Sequence, residues 1–190
     1  MSVLADNPAN ATETKLVLRC QEGDTLSFQE LYRRYQQRIR ATLYQLCGSE
    51  MLDDLVQEVF LRVWKGLPKL KEPSYFSTWV YRITWNVATD KRRKFAQNLS
   101  VNDDGTILNI MPSRPQDTPD LMRLHYQDLV QQGLQSLSLE HRAVLVLHDL
   151  EDVPQKEVAK ILELSIGTVK SRLFYARKQM RKFLKEQGAL

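Results

Sequence analysis

At 190 residues and 22.2 kDa the chain is long enough for one large domain or two small ones. Its 43% hydrophobic and 26% charged residues are ordinary for a soluble globular protein, and it has no unbroken apolar run of about 18 residues that would insert in a membrane. A net charge of +4 permits a polyanionic partner without requiring one, and two cysteines, Cys20 and Cys47, are too few for a disulfide scaffold, so a reduced, cytoplasmic setting is expected.

Residues 1–12, rich in Asn, Ala and Thr, have no periodicity and read as a disordered tail. A helix is predicted from Glu13 through Leu16, Val17 and Cys20, broken at Gly23 and Asp24. Ser27 is the expected cap of a second helix, with Glu30 three residues on completing a capping box. Phe28, Leu31, Tyr32, Tyr35, Ile39, Leu43 and Leu46 recur along it at core spacing. Asp53 or Asp54 opens a third helix, where acids favour the positive end of the helix dipole, and Pro68 ends it. Leu55, Val56, Val59, Phe60, Val63, Trp64 and Leu67 form its wide buried stripe. The opposite face carries Asp54, Gln57, Glu58, Leu61 and Lys65. Such a face is ordinarily just solvated, but an exposed leucine among acids also suits a protein docking surface.

After the loop from Lys69 to Ser74, Phe76, Trp79, Val80, Ile83, Val87 and Ala88 predict another helix. Trp79 and Trp85 lie six apart and cannot share one core stripe, so at least one large aromatic face is expected to be accessible. Asn86, mid-helix, and the basic run Lys91, Arg92, Arg93 and Lys94 after Asp90 complete a mixture that suits unpaired bases, which stack on rings while the backbone lies on cations. Core packing and a basic helix end would account for the same residues. From Ala96 the helical pattern fails, and Gly105, Pro112, Pro115 and Pro119 mark a linker over 96–120. With five Asp against two Arg in residues 100–128 it is acidic, and it is expected to be flexible.

Leu121 starts a second domain, whose first helix runs through Leu124, Leu129, Val130, Leu134 and Leu137. Ser138 caps a helix over Leu139 to Leu150, and Pro154 begins a helix-turn-helix. Ala159 and Val169 sit where its two helices cross, and Ser165 caps the second. There Val169, Leu173, Ala176 and Met180 form one buried stripe. The other face holds Thr168, Lys170, Ser171, Arg172, Phe174, Tyr175, Arg177, Lys178 and Arg181, a set of phosphate-binding cations, base-edge donors and apolar groups. Residues 165–187 carry seven Lys or Arg against one Glu, so the basic charge is concentrated on this helix. Glu163, where such units often place a small residue, predicts a wider turn. The fold class is therefore all-α: two small helical domains joined by a flexible acidic linker, the C-terminal one containing the helix-turn-helix.

Four segments, FQELYRRYQQRI, DDLVQEVFLRVWK, YFSTWVYRITWNVATDKRRK and LQSLSLEHRAVLVLHDLEDVPQKEVAKILELSIGTVKSRLFYARKQM, resemble in this order the bacterial sigma factors of the sigma-70 family, extracytoplasmic-function (ECF) group. The resemblance implies a region 2 over 13–95, a linker over 96–120 and a region 4 over 121–190. It implies docking of Asp54, Gln57, Glu58 and Leu61 on the beta-prime clamp of core RNA polymerase, with a further contact to the beta flap. It implies capture of the unpaired proximal promoter strand by Leu70, Lys71, Ser74, Trp79, Asn86, Asp90, Arg92 and Arg93. Duplex DNA of the upstream promoter element would be read by Thr168, Lys170, Ser171, Arg172, Phe174, Tyr175, Arg177 and Lys178. Tyr175 departs from relatives that carry a basic residue there. The resemblance further implies that an anti-sigma factor holds the chain inactive, that the free chain is a monomer, and that neither cofactor nor metal takes part.

A stand-alone helix-turn-helix regulator is the rival reading; it leaves the DDLVQEVF face and the Trp, Asn and Lys segment without a purpose. A polymerase decoy would have lost the basic helix. An enzyme is disfavoured: His125, His141 and His148 have no Cys or carboxylate array beside them, Asp53 and Asp54 are adjacent and point apart, and no glycine-rich phosphate loop occurs.

Overall fold

The computed structural model describes residues 8–99 and 121–189, with side chains placed for 12–93 and 126–189. The described residues form helices and short connections, with no strand among them. Helices α1 (Pro8–Gln21), α2 (Thr25–Cys47), α3 (Leu52–Gly66) and α4 (Phe76–Leu99) make the N-terminal half. Helices α5 (Leu121–Ser136), α6 (Leu139–Leu145), α7 (Gln155–Leu162) and α8 (Ile166–Glu186) make the C-terminal half, and α6 continues into one wider π-type turn, Val146–Leu150. The predicted linker from residue 100 to 120 lies outside the described residues.

Several boundaries differ from those expected. Helix α1 begins at Pro8, inside the segment read as a tail, and α4 runs on to Leu99. The cap of α2 is Asp24 rather than Ser27: its carboxylate accepts from the amides of Leu26 (2.9 Å) and Ser27 (3.4 Å), and the Ser27 hydroxyl donates to it at 2.7 Å. A carboxylate at the positive helix end outcompetes the hydroxyl three residues on. Glu30 accordingly pairs with Arg33 and Arg34 instead of reaching back to the cap. Helix α3 starts at Leu52, with Asp53 and Asp54 both in its first turn.

The expected caps of the C-terminal half hold. Ser138 accepts from the His141 amide at 3.3 Å and Ser165 from the Thr168 amide at 3.0 Å. The turn between α7 and α8 is not widened. It takes only residues 163–165, because Glu163 adopts the left-handed conformation (φ 56°) that a glycine would take without strain.

Phe76, Leu31, Ile39 and Leu43 are fully buried in the N-terminal half, and Leu134, Leu147, Ile161 and Leu173 in the C-terminal half. Each contributes about 1.5–3 kcal/mol by leaving water. Two glycines allow close helix contact. A Cβ at Gly66 would lie 2.8 Å from the Trp79 ring, and one at Gly133 would lie 2.6 Å from the Met180 sulfur, so a side chain at either position would displace the neighbouring group where α3 meets α4 and α5 meets α8.

The two halves are joined into one connected core running from Val17 to Ala176. Arg142 lies at that joint and is only 7% exposed. Its guanidinium donates to the carbonyls of Leu46 (2.7 Å), Gln135 (2.9 Å) and Leu137 (3.1 Å) and to the Gln135 side chain at 2.6 Å. The first of these caps the negative C-terminal end of α2, and Gln131 adds a bond to the Tyr44 carbonyl at 3.1 Å.

Candidate nucleic-acid interface and docking surfaces

Helix α8 presents the face predicted for it. Val169, Leu173 and Ala176 are buried with Met180 packed against them, which turns Lys170, Ser171, Phe174, Tyr175 and Lys178 outward. Phe174 is 64% and Tyr175 54% exposed, unusual for aromatic rings unless a ligand covers them. They meet edge to face, with centroids 5.5 Å apart. Several of the expected contact residues have partners within the chain, Ser171 among them, whose hydroxyl donates to the Thr168 carbonyl at 3.0 Å. Thr168 shares the cap, its hydroxyl 2.8 Å from Ser165 Oγ. Arg177 is clamped by both oxygens of Asp149 at 2.8 and 2.5 Å, which raises its pKa and ties α8 to the turn after α6. Arg172 is half-buried and near Glu140, whose carboxyl is held below its usual range chiefly by a hydrogen bond to its own backbone amide.

The second candidate surface is on α3. Asp54, Gln57 and Leu61 are exposed on one face, Leu61 at 45%, while Glu58 is half-buried and accepts from Arg62 at 2.7 Å. Trp64, expected in the core, is 42% exposed instead. It packs edge to face on Phe28 at 4.7 Å, and the pair lines an open groove between α2 and α3 together with Tyr32, Arg40, Gln57 and Leu61. Sequence reasoning placed Phe28, Tyr32 and Trp64 in the interior. The signal for the groove was there: aromatics four apart on each of two consecutive helices, 28 with 32 and 60 with 64, are more rings than one small core needs.

The third surface is α4 and the turn before it. Lys71 and Ser74 are exposed, and Leu70 is held in place because Gln21 of α1 donates to the carbonyls of Leu67 (3.0 Å) and Leu70 (2.8 Å). Asn86, Arg92 and Arg93 are exposed. Neither Trp79 nor Trp85 offers the free aromatic face that was expected, since both are half-buried against the core. The accessible ring here is Tyr75, with the Lys160 ammonium 4.6 Å above it. Asp90 bridges Arg62 (3.0 Å) and Arg93 (3.1 Å), so it orders cations rather than standing free. Lys91 reaches the Glu50 carbonyl at 2.6 Å. The side chain of Lys94 lies outside the described residues.

His148, one of the isolated histidines, fastens the turn before α7 with its Nδ1 2.8 Å from the Val153 carbonyl. No helix among the described residues is long and apolar enough to cross a membrane.

The described residues are helical, with a helix-turn-helix in the C-terminal half and an exposed acidic and apolar face on α3, the arrangement of a DNA-binding protein, and the comparisons say of which kind. Residues 31–97 match the family described as sigma-70 region 2, and residues 127–180 match sigma-70, region 4. The ECF RNA polymerase sigma-E factor of Haemophilus influenzae is 29% identical over 181 residues, covering 89% of this chain and 93% of that one. The ECF RNA polymerase sigma factor SigW of Bacillus subtilis is 28% identical over 182 residues, covering 90% and 96%. Among solved structures, the sigma factor RpoE of Bartonella quintana, crystallised with the anti-sigma factor NepR, shares the fold with a TM-score of 0.72 at 24% identity over 83% of this chain and 96% of that one. The chain belongs to the sigma-70 family of RNA polymerase sigma factors, in its ECF group. It is thus a subunit that directs RNA polymerase to promoters.

Proposed function

We propose that the three surfaces divide the work of promoter recognition between a region 2 over 13–95 and a region 4 over 121–190, with residues 96–120 setting their spacing. The face of α3, with Asp54, Gln57, Glu58 and Leu61, docks on the clamp of core RNA polymerase, and Trp64 and Phe28 extend that contact into the adjacent groove. The turn at Leu70, Lys71 and Ser74 and helix α4, with Asn86, Arg92 and Arg93, receive the unpaired strand of the proximal promoter element, Asp90 positioning Arg93 and Trp79 buttressing the helix from the core side. Helix α8 enters the major groove of the upstream element with Lys170, Ser171, Phe174, Tyr175 and Lys178 toward the bases and backbone. Unstacking a base costs a few kcal/mol, which contacts to the captured base offset without a cofactor. The chain acts in the cytoplasm, where the polymerase is, and catalyses no reaction of its own.

The observation that carries this reading is the coexistence in one chain of a recognition helix with exposed aromatics and a separate acidic and apolar face on α3. A stand-alone regulator needs the first and has no use for the second. The test is a titration of labelled chain with core RNA polymerase. Leu61→Asp is expected to weaken the complex at least tenfold, with the unfolding midpoint unchanged because Leu61 is solvent-facing. Undiminished binding would remove α3 from the polymerase interface.

A further inference from the structure

The two exposed rings of α8 are braced from behind. Phe174 and Tyr175 meet edge to face, and Tyr175 in turn meets the His141 ring of α6, with centroids 6.5 Å apart and planes at 62°. His141 is itself fixed: its Nδ1 lies 3.0 Å from Ser138 Oγ, and its amide donates to the same oxygen at 3.3 Å. The row Ser138, His141, Tyr175, Phe174 thus runs from the cap of α6 to the reading face of α8. His141 is half-buried while Tyr175 and Phe174 are more than half exposed, so the row is anchored at one end and open at the other.

What these rings can discriminate follows from what surrounds them. No Asn, Gln, Asp or Glu occurs from Ile166 to Lys178, so the side chains that pair with adenine or accept from cytosine are absent from this part of α8. Of the two arginines there, Arg177 is clamped by Asp149 and Arg172 is half-buried near Glu140. The hydroxyl proton of Ser171 goes to the Thr168 carbonyl. That leaves Lys170 and Lys178 exposed, together with the rings. Lysines can reach phosphates or guanine, whereas an aromatic ring has one distinctive apolar group to meet in the major groove, the C5-methyl of thymine. Adjacent residues of a helix stand about 100° apart around its axis, which puts Phe174 and Tyr175 on either side of the line through Ser171 and Lys178. Two rings set that way face neighbouring base pairs.

We infer that Phe174 and Tyr175 select thymine methyls in the upstream promoter element, and that His141 is the positioning residue that holds Tyr175 for this contact. The inference rests on the reading of α8 as the helix that enters the major groove, and adds to it the base class and the residue behind the ring. A methyl gains by leaving water, and a ring already held in place loses little freedom on binding, so discrimination depends on the brace as well as on the ring. Without His141, Tyr175 still offers apolar surface, but spread over several orientations.

The test uses the full chain with core RNA polymerase. Upstream sequences are first selected from duplex fragments carrying a randomised upstream segment. Each thymine of the selected element is then replaced by uracil, which keeps the pairing edge and removes only the C5-methyl. The expected result is one or more thymines at which uracil weakens holoenzyme binding about fourfold, the factor that corresponds to about 0.8 kcal/mol for one buried methyl. Phe174→Ala and Tyr175→Ala are each expected to bring that ratio to one at the thymine the lost ring meets. His141→Ala is expected to lower the ratio at the Tyr175 position alone, and His141→Phe to restore it by returning a ring to the brace. A merely structural loss in α6 would weaken thymine and uracil duplexes equally. A ratio unchanged in His141→Ala overturns the positioning role. A selected element that tolerates uracil throughout overturns the methyl contact, and the reading of α8 survives it if Lys170→Ala still weakens that duplex. Failure to select any upstream element removes the reading of α8 and the inference with it.

Discussion

Helices α4 and α8, the two proposed DNA-facing helices, differ in what their faces contact within the chain. The reading face of α8 is free, with Phe174 and Tyr175 in solvent and its buried stripe anchored in its own half. A stripe on α4, Thr78, Tyr81 and Arg82, is spoken for by Glu157, Glu151 and Glu163, residues 70 to 81 positions away in sequence.

The sharpest way to break the distinction between the two faces of α8 is a pair of neighbouring substitutions. Leu173→Ala empties a buried site and is expected to cost about 2–5 kcal/mol in chemical denaturation. Phe174→Ala, one residue on, is expected to leave stability nearly unchanged while weakening upstream duplex binding; with Lys170→Ala and Tyr175→Ala the loss is about 1–3 kcal/mol for each lost base contact. Equal stability losses at 173 and 174 would mean that the helix is rotated. At the joint between the halves, Arg142→Ala orphans the carbonyls of Leu46, Gln135 and Leu137, and an expected cost of about 1–3 kcal/mol can be read from the denaturation midpoint. A neutral result would mean that water replaces the guanidinium there. Ser165→Ala removes the cap of α8 and is expected to cost about 1 kcal/mol, with Ser165→Asp restoring it.

The smallest effect concerns Glu13, which accepts from the Tyr35 hydroxyl at 2.6 Å. Burial raises its carboxyl above the ordinary 4.5, against the opposing pull of Tyr35, Arg34 and Arg38. The folded chain therefore holds that proton more tightly than the unfolded one. Its contribution to stability is complete below about pH 4.5 and is lost as pH rises through the higher folded value. Glu13→Gln is expected to flatten the stability profile just above that point, measured by denaturation in a series of acidic buffers. A steeper profile would contradict the burial.

Much of the C-terminal half is legible in the sequence because its rules are local. Ser138 and Ser165 cap the helices they precede, and Val169, Leu173 and Ala176 are buried as their spacing implies. Local rules also misled. Asp24 and Ser27 are both good caps three residues apart, and only the structure decides between them. Glu163 suggested a wide turn because a small residue often stands there, yet it takes the positive φ of a tight turn itself. Trp64 and Tyr32 fit the core period yet line a groove, since a stripe broader than its partner helices leaves its edge uncovered. The contact between α4 and the helix-turn-helix left no trace in the sequence: Glu151, Glu157 and Glu163 belong to different local elements and share no helical period. The outward face of α8 follows from the period of its buried stripe and from its cations, whereas the choice of a docking face over a solvated one on α3 came from the order of the motifs.

The most direct test of sigma function is run-off transcription from a library of genomic fragments by core RNA polymerase, with and without the chain, using a Lys170, Phe174 and Tyr175 triple-alanine variant as control. New start sites that require the wild-type chain and share one upstream sequence are the predicted result, with the variant losing them. Absence of any new start site, with the free chain binding a palindromic duplex tightly by itself, would contradict it and favour a stand-alone regulator.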